Sequence, residues 1–121
     1  MNRNKISYIF SLLFTVIFPL EAFASCENAP LPGVKLIAKE DKYKIISTYE
    51  NRQMSTDADL INYSLRDAEF KAQSEIYKFL GINRNETTLP LFKLGECVTL
   101  GKFVRVSYGT SIDKDKYKVF N

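Results

Sequence analysis

From Asp57 to Leu80 the chain contains neither proline nor glycine, and no other feature constrains its fold so strongly. Both ends of the stretch carry helix punctuation. Ser55-Thr56-Asp57 supplies an N-cap, and Thr56-x-x-Asp59 approximates a capping box with aspartate in place of glutamate. Asp57 and Asp59 put negative charge at the positive end of the helix dipole. Gly81 stands one residue beyond Leu80, placed to take a left-handed C-cap, with Ile82 to close a Schellman contact. The pattern predicts one helix over residues 56–80.

Two stripes run along that helix. Ile61, Leu65, Ala68, Ala72, Ile76 and Phe79 fall within about 80° of one another at about 100° per residue. They form a core face, and the two alanines allow close approach to a sheet. Tyr63, Phe70 and Tyr77 recur at seven-residue spacing roughly 180° away. Three explanations fit this second stripe. The segment at 27–33 and the loop after the helix fold over the rings, or the tyrosines simply keep their hydroxyls in water, or the rings form a groove for a partner or ligand, a use to which an apolar ring with a wet tip is suited.

The rest of the chain reads as strands. Residues 27–33 hold two prolines and a glycine and form an extended lead-in. Val34–Ala38 is a short strand and Lys39–Lys42 a charged hairpin connection. Tyr43–Met54 follows as a longer strand, with Tyr43, Ile45, Ser47 and Tyr49 on one face and Lys44, Ile46, Thr48 and Glu50 on the other. Residues 83–88 are a polar loop and 89–92 extended. Cys97–Leu100 and Phe103–Tyr108 pair around Gly101-Lys102, and Gly109–Ser111 turns the chain. The tail from Asp113 to Phe120, with Lys114, Lys116 and Lys118 on one side, reads as a lysine-guarded edge strand or a small patch for acidic lipid or polysaccharide. The expected fold is α+β, one long helix packed on one face of a small, mostly antiparallel sheet.

Residues 1–24 have the three parts of a signal peptide. Arg3 and Lys5 precede an apolar run from Ile6 to Phe18, Pro19 breaks it, and Ala22-Phe23-Ala24 offers a cleavage site. The run is about 13 residues, short of the roughly 20 that span a membrane. Phe23-Ala24-Ser25-Cys26 also resembles a lipobox, in which Cys26 would be lipidated. The domain plan is therefore a signal peptide at 1–24, a lead-in at 25–33 and a single α+β domain at 34–121. The chain has two cysteines, and an exported chain would pair Cys26 with Cys97, closing a loop of about 70 residues and contributing on the order of 4 kcal/mol. Lipidation of Cys26 and the disulfide exclude each other, and contact with membrane is expected only with lipidation.

Composition narrows the chemistry. The chain has 121 residues and no histidine. That removes Ser-His and Cys-His catalysis and the usual base near neutral pH. Loss of residues 1–24 takes away Arg3, Lys5 and Glu21 and leaves a net charge of +2, too little for a nucleic-acid binder. No phosphate loop, metal-ligand set or cofactor motif is present, and Asp113-x-Asp115 lacks the rest of a calcium loop. Glu50, Glu69, Glu75 and Glu96 are the carboxylates near the elements, better explained by ion pairs than by acid–base work. No residue is assigned as catalytic.

The order strand, long capped helix and paired strands, with the run Asp67-Ala68-Glu69-Phe70-Lys71-Ala72-Gln73-Ser74-Glu75-Ile76-Tyr77-Lys78-Phe79-Leu80 at its centre, resembles small bacterial envelope modules. These are the N-terminal module of the flagellar assembly protein T and related outer-membrane lipoproteins. The resemblance covers residues 43–108 and implies a helix on a small antiparallel sheet in an envelope setting; it carries no functional residue. The expectation is an exported, non-enzymatic periplasmic or envelope protein that binds a protein partner or a cell-wall component through Tyr63, Phe70 and Tyr77. A small histidine-free hydrolase, a hydrolase inhibitor or a secreted effector are the alternatives.

Overall fold

A computed structural model describes residues 24–115; residues 1–23, which hold nearly all of the expected signal peptide, and the tail from residue 116 lie outside the described residues. Four strands and one helix follow in the order β1 (Gly33–Lys39), β2 (Lys42–Arg52), α1 (Ala58–Leu80), β3 (Phe92–Thr99) and β4 (Phe103–Asp113). The sheet is antiparallel throughout, in spatial order β1-β2-β4-β3. The expected α+β arrangement is the one observed.

Local chemistry sets the helix ends. The Asp57 carboxylate accepts from the amides of Asp59 (2.9 Å) and Leu60 (3.3 Å), satisfying two of the orphan donors of the first turn. The Ser55 hydroxyl accepts from the Asp57 amide at 3.0 Å. At the other end Gly81 adopts φ 67°, ψ 31°. Its N–H donates to Lys78 O, and Ile82 N–H donates to Tyr77 O, the paired bonds of a Schellman motif.

The helix packs over the two central strands. Ile61, Leu65, Ala68, Ala72 and Ile76 are buried against Ile45, Val104, Val106 and Ile112. Ala68 and Ala72 are fully covered, so the close approach expected from their size is realised. Phe79 lies at the margin, only partly buried, and Leu80 takes the core position instead. Each fully buried Ile or Val contributes about 1.5–3 kcal/mol, which makes Ile45, Ile61, Ile76, Val104 and Val106 the main hydrophobic source of stability. Asn51 ties β2 to the helix with polar bonds, donating to Ser64 O (3.0 Å) and to an Asp67 carboxylate oxygen (2.8 Å).

Three strand details differ from expectation. The β1–β2 connection is tighter than four residues: Lys39 pairs with Lys42, leaving Glu40 and Asp41 as the turn, with Glu40 at φ 40°. β4 does not turn at Gly109–Ser111 but runs on to Asp113 beside β2. Gly109 is a strand residue because Leu94 and Phe92 lie across it. A Cβ there would stand 3.0 Å from Leu94 Cδ1 and 3.4 Å from the Phe92 ring. That packing follows from the third detail: β3 starts at Phe92, ahead of the expected Cys97, and carries a register shift between Lys93 and Gly95 that leaves Leu94 as the extra residue.

The face away from the helix is crossed by the lead-in. Cys26 and Cys97 form a disulfide with Cα atoms 5.0 Å apart, and both residues are buried. Ala24 O accepts from Val98 N–H at 2.8 Å, and Pro30 O accepts from Arg105 at 3.4 Å. Beneath it, Thr48 and Ser107 form a buried hydroxyl pair at 2.7 Å. A disulfide holding the N-terminal segment of a small domain belongs to an oxidising, non-cytoplasmic compartment. No described helix is long and apolar enough to cross a membrane.

Candidate functional site

The heptad-spaced aromatic stripe does not stay together as one surface. Tyr63 is 75% exposed and Phe70 59%, whereas Tyr77 is buried at 6%. The loop after the helix returns over Tyr77, and the Leu89 amide donates to its hydroxyl at 3.0 Å. Tyr77 is therefore a core residue and presents no ring to a partner. The lead-in takes no part in this cover, since it lies on the opposite face of the sheet.

Two residues not singled out in the sequence complete the exposed face. Leu60 is 51% exposed, one turn before Tyr63; its i, i−3 spacing from Tyr63 was the available signal. Arg84, from the loop, lays its guanidinium 4.7 Å from the Phe70 ring centroid and 5.6 Å from that of Tyr77. It donates to Gln73 Oε1 (2.6 Å) and Ser74 Oγ (3.2 Å). Nothing local in the loop sequence announces that placement, because it depends on the chain folding back along the helix. The result is a convex strip with Leu60, Tyr63 and Phe70 along it, Asp57 and Asp59 at one end and Arg84 and Lys78 at the other. Acids at the start and bases at the end also suit the helix dipole.

The carboxylates considered for acid–base chemistry each meet a cation. Glu50 pairs with Arg105 at 2.8 Å and Glu75 with Lys78 at 3.6 Å. Glu69 pairs with Lys93 at 3.4 Å, and Lys93 also bonds Glu96. Tyr108 lies beside this last group. The Glu96 hydrogen bond, with a smaller contribution from Glu69, holds the Lys93 ammonium above its ordinary value. Burial first, then a hydrogen bond to Glu69, raises the Tyr108 phenol. A lysine kept charged and a phenol kept neutral are set the wrong way for a nucleophile or a base. The cluster clamps the helix to β3.

A cleft of about 360 Å³ runs between the lead-in and β3–β4, lined by Pro30, Ile46, Leu94, Arg105 and Ser107 among others. Two of its polar side chains are already engaged. Arg105 is held by Glu50 and Pro30 O, and Ser107 by Thr48.

Protein-family models, curated proteins and solved structures, each compared with the chain, return no match.

Proposed function

We propose that this chain is an exported, non-enzymatic protein of the bacterial periplasm or envelope that acts by contact with a protein partner through the outer face of α1. The observation that carries the reading is the exposure of Leu60, Tyr63 and Phe70 on one broad face of a well-capped helix whose opposite face is buried in the core. Aromatic anchors beside an arginine are the composition of protein interfaces. A convex helix surface suits another protein better than a glycan strand, which is gripped in a concave site by converging polar groups. Export rests on the signal-like segment together with the disulfide.

Tyr63→Ala combined with Phe70→Ala tests the reading. Both rings are exposed, so the far-ultraviolet circular dichroism should match that of the unaltered chain while crosslinked capture of the partner in the exporting cell falls at least tenfold. Undiminished capture would refute the assignment of this face.

A further inference from the structure

We infer that the partner of this face is a second copy of the same chain, docking its own α1 antiparallel about a two-fold axis. The inference rests on the reading of the helix face as a binding surface and names its occupant.

Tyr63 and Phe70 stand seven residues apart, about 10 Å along the helix, on either side of the midpoint between Arg66 and Asp67. Two helices set antiparallel about that midpoint bring Tyr63 of each copy over Phe70 of the other. The same symmetry carries Asp59, four residues before Tyr63, onto Ser74, four residues after Phe70. Ser74 is where the Arg84 guanidinium is held, at 3.2 Å and above the Phe70 ring. Asp59 of each copy thus meets Arg84 of the other, and the charge pair forms twice.

Charge along the face supports this direction of pairing. Asp57 and Asp59 open the helix, while Lys78 and Arg84 lie at its far end. An antiparallel pair sets acid against base and opposes the two macrodipoles; a parallel pair sets acid against acid. An isologous interface has to be complementary to itself, and this strip is so in both its rings and its charges. Arg66 lies beside the axis and is exposed, so its long stem can carry the cation into water.

Sedimentation velocity of the oxidised chain over a concentration series tests the inference. A dimer is expected, with Phe70→Glu returning it to monomer at unchanged helical circular dichroism. Asp59→Arg and Arg84→Asp should each weaken the dimer tenfold or more, and the two together should recover most of that loss. Monomer mass at every concentration up to about 1 mM, or a dimer indifferent to these substitutions, overturns self-association. If the chain is monomeric and Tyr63→Ala with Phe70→Ala still abolishes capture of a different protein, only the identity of the occupant is wrong. If capture ignores those residues as well, the binding face itself is wrong.

Discussion

The Tyr77 hydroxyl accepts the Leu89 amide proton at 3.0 Å, in a buried setting. Through this bond the loop after the helix closes over the last turns of α1, and one ring of a seven-residue repeat becomes core while the other two remain outside.

The split has a stability signature. Tyr77→Phe leaves the Leu89 amide without its acceptor and should cost about 1–2 kcal/mol. Tyr77→Ala also opens a cavity and should cost about 3–5 kcal/mol. Phe70→Ala, on the exposed face, should stay within about 0.5 kcal/mol when the chain is diluted to monomer. Urea midpoints of the three variants check the order, and equal losses at residues 70 and 77 would contradict it.

The Cys26–Cys97 bond closes a separation of 71 residues. Its removal by paired serine substitutions should cost on the order of 4 kcal/mol, by relaxing a constraint on the unfolded chain. Denaturation of the native chain with and without reductant gives the same comparison. A difference below about 1 kcal/mol would mean that the lead-in is held chiefly by Ala24, Pro30 and their partners.

Ser47 faces the helix from β2, and its hydroxyl is buried with no hydrogen-bond partner among the described residues. Such a group carries a desolvation cost with no compensating bond. Ser47→Ala should therefore be neutral or stabilising by up to about 1 kcal/mol, read from the thermal midpoint. A clear destabilisation would show that the hydroxyl is satisfied.

Asp67 is held below the ordinary carboxylate value, first by its hydrogen bond with Lys71 and then by that from Asn51. A lowered folded-state value stabilises the fold above the unfolded value, about pH 4, and the contribution is lost as pH falls through the folded one. The stability gap between the unaltered chain and Asp67→Asn should stay constant above about pH 5 and close below about pH 4. Lys71, Lys93 and Tyr108 are all raised, so their contributions are present below the unfolded values and fade only in strong alkali. In a chain without histidine, urea midpoints should be flat across neutrality. A transition near pH 6–7 would require a group that none of these supplies.

The parts legible in the sequence are those governed by near neighbours. Asp57, Gly81 and Ile82 mark the helix ends through bonds spanning a few residues, and the alternation in Tyr43–Tyr49 follows from one sheet face being covered by α1. The Cys26–Cys97 pairing was legible because there was only one way to join two cysteines. The misread parts depend on distant chain segments. Gly109 looks like a turn until Phe92 and Leu94 are placed across it. Tyr77 is indistinguishable by spacing from Tyr63 and Phe70 until the loop carrying Arg84 and Leu89 folds back. The exposed strip was legible in Tyr63 and Phe70; its charged end was not, because Arg84 belongs to no periodic pattern.

Site-specific photocrosslinking in the exporting cell tests the central claim most directly. A photoreactive side chain is placed at Tyr63 or Phe70 and, for comparison, at Leu100 and Phe92, which are 50% and 46% exposed away from the outer face of α1. Adducts from residues 63 and 70, and none from 92 or 100, are the predicted result. Adducts from the strand positions, with none from the helix, would contradict it.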